Sequence, residues 1–170
     1  MRFLPFLAEP LPVAAVHAVL DNRLQLFDII EKILAETGPA ELYVSTFSTS
    51  EEFLRRLARL KRAGLVRHAA LVIDHKASKK NLILYPFMRA VFDSVHLADN
   101  HSKLLLISND RHKFSVVTSQ NQTRGSRYEC SLICRLPDVF DNLLITFKDI
   151  INHHSISLDD IFSRNDKTGG

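Results

Sequence analysis

Two hydrophobic periods alternate along this chain, and the order in which they alternate predicts its architecture. From Asn22 to Glu36 the residues Leu24, Phe27, Ile30, Ile33 and Leu34 recur at helical spacing. Asp21 is placed to cap this helix, and Thr37-Gly38 to stop it. Leu42, Val44 and Thr46 then alternate with Tyr43, Ser45 and Phe47, which predicts a first strand. Thr49-Ser-Glu-Glu52 reads as a capping box with Thr49 as cap. The helix after it buries Phe53, Leu57 and Leu60, exposes Arg55, Arg56, Arg59 and Lys61, and ends near Gly64. Val66 to Asp74 is almost continuously apolar, as a buried parallel strand would be.

A basic loop, Lys76 to Lys80, leads to a helix over 82–92 that begins or kinks near Pro86. Ser94 to Ala98 forms a short third strand. Leu104–Ile107 and Phe114–Val117 flank a polar turn and read as a hairpin, and Cys130 to Arg135 forms a further strand. Pro137 opens a last helix, whose apolar stripe is Val139, Phe140, Leu143, Leu144, Phe147, Ile150 and Ile151. The order predicts an α/β fold, a mixed β-sheet sandwiched between helices. Residues 1–19, interrupted by three prolines, are expected to form an extended arm. The domain proper is expected over 20–154, and residues 155–170 to be a flexible tail.

Composition narrows the reading. The 170 residues, with no Trp and only 5 Gly, suit one globular domain. The net charge of +3 is compatible with a nucleic-acid partner without requiring one. Cys130 and Cys134, the two cysteines, share a strand face too far apart to bond, and are expected to be buried thiols in a reducing compartment. No apolar run is long enough to span a membrane. The apolar N-terminus resembles a signal peptide only superficially, because Glu9, its prolines and the lack of a clear cleavage site argue otherwise. A cytoplasmic protein is expected.

The chemistry concentrates between His101 and Glu129. His101 and Lys103 are two residues apart, before the first strand of the hairpin. Ser119 and Asn121 are two apart, after the second, and Glu129 opens the next strand. One sheet edge would thus gather an imidazole, an ammonium, a hydroxyl, an amide and a carboxylate. A neutral imidazole can attack phosphorus and form a covalent intermediate. Ammonium and amide donors stabilise the charge that builds on phosphoryl oxygens. A carboxylate on the second ring nitrogen fixes the tautomer.

This stretch resembles the phospholipase D superfamily, whose motif is His-x-Lys, four residues, Asp, then Gly-Ser-x-Asn and a later Glu. His101 and Lys103 match, Ser119-Gln120-Asn121 matches Ser-x-Asn with Thr118 in the Gly place, and Glu129 falls at the late Glu. The segment SQNQTRGSRYE is similar to that of small, single-motif members of the phage and mobile-element type. Ser108 stands in the place of the Asp, followed by Asn109 and Asp110, and the hairpin is about three residues longer than the common form. The resemblance implies a nuclease-like phosphodiesterase that needs no metal or other cofactor. Its catalytic residues would be His101, Lys103, Asn121, Glu129 and Ser119, in a homodimer whose two motifs meet at the two-fold axis. A nucleic acid, DNA or RNA, is the expected partner, and a phospholipid is disfavoured because no amphipathic membrane face is evident. The alternative is a degenerate member that binds nucleic acid without turnover.

Other charged residues have plainer readings. Lys76, Lys79, Lys80, Arg124 and Arg127, with Arg111, His112 and Lys113 of the hairpin turn, would form either a basic rim for a phosphate backbone or an ordinary solvated surface. Lys76, Lys80, Arg124 and Arg127 are the candidates for substrate contact. His75 ends the second strand, where it would face substrate or simply cap. His153-His154 reads as a helix C-terminus and not as a metal pair.

Overall fold

The computed structural model describes residues 5–78, 83–123 and 125–166. Its elements are α1 (Pro5–Ala8), β1 (Val16–Asp21), α2 (Leu26–Thr37), β2 (Ala40–Thr46), α3 (Glu51–Arg62), β3 (Val66–Asp74), α4 (His75–Ser78), α5 (Tyr85–Val91), β4 (Ser94–Ala98), β5 (Leu104–Ser108), β6 (Lys113–Thr118), β7 (Glu129–Cys134), α6 (Pro137–His153), β8 (Ile156–Ser157) and α7 (Leu158–Asp166). The strands form one mixed sheet in the order β1-β7-β6-β5-β2-β3-β4-β8. β2, β3 and β4 are parallel and the other pairings are antiparallel.

The two faces of the sheet are covered unequally. On one face Leu42, Val44, Leu71, Ile73, Leu105, Ile107, Phe114, Val116 and Ile133 join the main core with the apolar sides of α2, α3 and α5. On the other, Phe147 of α6 packs on Ala70, Val72 and Ala98, with Tyr43, Ile150 and Ile151 beside them. The broad stripe expected on α6 is only partly used: Phe140 and Phe147 are buried, while Val139 remains exposed.

Chain order creates the edge that carries the candidate residues. β4 runs parallel to β2 and β3, and β5 returns antiparallel on the far side of β2. The link between them, residues 99–103, must cross the carboxyl ends of β3 and β2. Ligands of open α/β sheets bind at such a reversal of strand order.

Several local expectations change. α2 begins at Leu26, because Asp21 Oδ1 accepts the amides of Arg23 (2.6 Å) and Leu24 (3.2 Å) in a preceding turn. Asp28 then returns to the amide of Gln25 at 3.0 Å. Residues 16–21 are a sheet strand paired with β7. Ser50, not Thr49, caps α3, its Oγ accepting from the Phe53 amide at 3.3 Å. Cys130 is exposed and Cys134 half-buried, because the alternation of β7 turns Ser131 and Ile133 inward instead. Residues 156–166 add β8 beside β4 and the helix α7, with Leu158 fully buried, where a flexible tail was expected.

Tyr43 offers a direct check on the α6 face. Its hydroxyl donates to Glu41 at 2.8 Å and its ring meets Phe147 edge-on at 5.7 Å. Burial first, then the Glu41 carboxylate, push its pKa up to about 12. Of the 3 tyrosines, one is therefore expected to ionise near pH 12 in an ultraviolet titration, and to lose that displacement in Tyr43→Phe protein. A raised folded pKa contributes stability that is intact below the unfolded value of 10.0 and is lost as pH rises towards 12.

Candidate active site

A buried polar network holds the crossing segment. Asn100 is 8% exposed and Asp74, at the end of β3, only 3%. Asp74 Oδ2 accepts the Asn100 amide at 2.9 Å. The side-chain amide of Asn100 donates to Ser45 Oγ at 3.0 Å and to the Thr46 carbonyl at 3.1 Å, both at the end of β2. Asn100 Oδ1 accepts from the Ser102 amide at 3.0 Å and the Ser102 hydroxyl at 2.7 Å. Ser45 and Ser102 also bond at 2.5 Å. Both neighbours of His101 are thereby fixed, while His101 itself is exposed and rests its ring 5.2 Å from that of Phe47. The network is formed by residues far apart in sequence, and only the proximity of Asn100 to His101 hinted at it.

Lys103 lies beside the end of β6, where its carbonyl accepts the Thr118 amide at 3.1 Å. Its ammonium donates to the His101 carbonyl at 2.9 Å, and no carboxylate pairs with it among the described residues. Ser119 bonds Glu129 through its hydroxyl and accepts the Cys130 amide at 3.1 Å. The predicted hydroxyl and late carboxylate are therefore joined. No hydrogen bond links Glu129 or Asn121 to His101 or Lys103 among the described residues.

The loop after Ser119 is anchored at several points. Gln120, buried, donates to the Leu24 carbonyl at 2.8 Å. The Gln122 amide donates to Ser48 at 3.1 Å, and the Gln122 carbonyl accepts the Ser50 hydroxyl at 2.8 Å. Gln25 spans to Gly125, donating to its carbonyl at 3.2 Å and accepting its amide at 3.4 Å. Asn121 thus sits between two fixed neighbours. Beside this loop, Asp21 faces Glu129 across the β1–β7 pair. Burial would raise the Asp21 pKa, but the amides of Arg23 and Leu24 and the Arg23 guanidinium together hold it below the usual carboxylate range.

Ser108 lies at the opposite end of β5 from Lys103, half-buried and paired with Glu41 and Lys113. Asn109 secures the turn: its Oδ1 accepts the amides of Arg111 and His112 at 3.0 Å, and its Nδ2 reaches the Thr37 carbonyl at 3.0 Å. An amide thus makes the attachment of the hairpin to the end of α2. Asp110 is exposed beyond it.

The basic candidates separate. Lys76 stands at the crossing edge, 3.6 Å from Asp99. Arg127 is exposed on the loop before β7. Lys79, Lys80 and Arg124 lie outside the described residues. Lys113 pairs with Asp141 of α6 at 2.6 Å and is not part of a free rim. His75 Nδ1 meets the Ala98 carbonyl at 3.1 Å, a capping contact. His153 lies 2.8 Å from Asp149 within the last turns of α6. Asp74, His75 and Asp99 bring potential metal-ligand atoms within 4.8 Å of one another. The two Asp74 oxygens already accept the Lys76 and Asn100 amides, so that carboxylate has a structural use.

No family model and no curated protein matches the chain by sequence. Solved structures do match by shape. Nuc from Salmonella typhimurium, a phospholipase D family member, superposes with a TM-score of 0.65 at 14% identity, over 84% of this chain and 97% of Nuc. NucT from Helicobacter pylori gives 0.63 at 11%, over 84% and 99%. Phosphatidylserine synthase from Haemophilus influenzae gives 0.58 at 13%, over 84% of this chain and 39% of the synthase. A sheet that reverses strand order at the His101 crossing, and that matches these structures over most of its length, is the fold of the phospholipase D superfamily.

Proposed function

We propose that the chain is a metal-independent phosphodiesterase, a nuclease that works through a phosphohistidine at a homodimer interface. The observation that carries this reading is the rigid mounting of an exposed His101, between two network-bound neighbours, on the crossing that also bears Lys103. His101 attacks phosphorus in line, and the P–O bond to the leaving oxygen breaks. The partner's His101 gives that oxygen a proton. It then takes a proton from water, which attacks the phosphohistidine and frees His101. Lys103 and Asn121 hold the non-bridging oxygens. Glu129, bonded to Ser119, orients a His101 ring. Lys76 and Arg127, with Lys80 and Arg124, bind the phosphate backbone.

The uneven cover of the sheet supports the dimer. Along β1, β7 and β6 the face shared with α6 carries Leu20 at 70%, Leu132 at 43% and Val117 at 48% exposure. Register makes Ala18, Leu132 and Val117 neighbours in one row. Val117 stands two residues before Ser119, so a second copy seated on this row would lie beside the site. The test is cleavage of labelled single- and double-stranded DNA in EDTA, with sedimentation of the same samples. A dimer that cleaves is expected, and Val117→Lys/Leu132→Lys protein should be a monomer without cleavage. Cleavage by that monomer at the wild-type rate would refute the shared site.

The second reading is a binding protein without turnover. Ser108 in the motif's Asp place favours it, and so does the match to TrmBL2, described as an archaeal chromatin protein with a novel mode of DNA binding (TM-score 0.54, 12% identity, 85% of this chain and 54% of TrmBL2). Salt-sensitive DNA binding with no cleavage would select it.

A further inference from the structure

Next to Asn121 the chain buries an amide that nothing satisfies among the described residues. Gln122 is 2% exposed, and neither its Nε2 nor its Oε1 has a hydrogen-bond partner among the described residues. Asn121 Oδ1 is likewise enclosed and unpartnered. Both residues line a cavity of about 30 Å³ between the starts of α2 and α3. A buried amide without partners is costly, so such a group points to an occupant that would satisfy it. The backbone of Gln122 is held at both its amide and its carbonyl, so the side chain is presented from a fixed base.

The chemistry of the lining selects the occupant. Two unpartnered acceptors, Asn121 Oδ1 and Gln122 Oε1, stand with one donor, Gln122 Nε2. Arg56, also on the wall, is bonded to Asp28 at 2.8 Å and Glu31 at 2.7 Å. An anion is therefore a poor fit. A ligand with two donors and one acceptor along one edge is a good one. Among the nucleobases, guanine has that edge: N1–H and N2–H as donors, O6 as acceptor. The cavity has room for about two waters, which matches exocyclic groups entering while the ring stays outside. Only an unpaired base leaves that edge free.

We propose that this cavity reads the Watson–Crick edge of a guanine adjoining the scissile phosphate, making the protein a guanine-preferring nuclease of single strands. The proposal rests on the nuclease reading above. Gln122 donates to O6 and accepts from N1–H, and Asn121 Oδ1 accepts from N2–H. Asn121 Nδ2 stays available for the phosphate, so one side chain connects base choice to chemistry.

The test uses the full chain and 5′-labelled thymine oligonucleotides, each with one guanine, in EDTA. Wild-type protein is expected to cut beside guanine about tenfold faster than beside thymine, the discrimination typical of a bidentate base contact. Inosine, which lacks the N2 amino group, should lower that ratio several-fold. Gln122→Met should bring it close to one, the ratio being read within a single digest. The inosine series leaves the protein unaltered, so a variant that fails to fold does not decide the outcome. Equal cutting beside every base, or a guanine preference that persists with inosine, overturns the cavity assignment while the nuclease reading stands. Absence of cleavage with every oligonucleotide, by folded wild-type protein, overturns both.

Discussion

Purified His101→Ala protein is expected to show no cleavage above background, a loss of about four orders of magnitude or more, because in the proposed mechanism His101 is the covalent nucleophile and its loss removes the pathway and not merely a contact. The change should leave the fold intact. His101 is exposed, and its ring makes one described aromatic contact, with Phe47. Surface substitutions of this kind usually shift stability by about 0.5 kcal/mol or less, so a melting curve should overlay that of the wild type. Lys103→Ala should be milder, about 10²- to 10³-fold, as expected for one electrostatic donor. A mixture of His101→Ala and wild-type chains, dissociated and reassociated, should be less active than the wild-type share alone predicts, because a site with two His101 rings is broken by either chain. The decisive measurement is turnover in EDTA by protein of verified sequence. Retained turnover in His101→Ala would sink the phosphohistidine mechanism, and unchanged activity in the mixture would sink the two-chain site.

Much of the fold was legible because period alone places it. β4 falls over Ser94–Ala98, as the short apolar run predicts, and α6 begins at Pro137, where the ring suits a first helical turn. Gly38, at φ 82°, ends α2 where Thr37-Gly38 indicates a stop. The misplaced elements are those whose fate is decided by distant partners. Alternation shows that Cys130, Leu132 and Cys134 share a face of β7, but not which face; that depends on how far α6 reaches across the sheet. Thr49 and Ser50 are both able to cap, and Ser50 does so because its hydroxyl also meets the loop at Gln122. Residues 156–166 carry weak local signals and are placed by β4 and by the burial of Leu158. In the site, His101, Lys103, Ser119, Asn121 and Glu129 were singled out from the motif, and the structure adds the Ser119–Glu129 bond. Asn100, Asp74 and Ser45 were missed because their link spans separations of 26 and 55 residues, beyond any local pattern.

That missed network carries the second large effect. Asn100→Ala is expected to lose about 2–4 kcal/mol of stability and to lower kcat by about 10²-fold with little change in KM. The stability loss follows from the inventory of bonds. The side chain supplies donors to Ser45 Oγ, the Thr46 carbonyl and the Val72 carbonyl, and an acceptor for two groups of Ser102. Alanine strips partners from the buried Ser45 and Thr46, at roughly 1–3 kcal/mol for each group that cannot turn elsewhere, whereas the exposed Ser102 can turn to water. The rate loss follows from geometry. Asn100 and Ser102 bracket His101, and among the described residues the Ser102 side chain keeps only its bond to Ser45 once Asn100 Oδ1 is gone. A nucleophile that wanders by about 1 Å can lose 10²-fold in rate, whereas the phosphate contacts proposed for Lys103 and Asn121 do not depend on Asn100. Asn100→Asp should fare worse in stability, because it sets a second carboxylate where Asp74 already lies buried and removes all three donor bonds. The check is steady-state kinetics well below each variant's Tm, beside chemical denaturation. A fall in kcat for Asn100→Ala at temperatures where the variant is fully folded assigns Asn100 as a positioning residue. Wild-type kcat in the folded variant would show that the network serves the fold alone and that His101 finds its place without it.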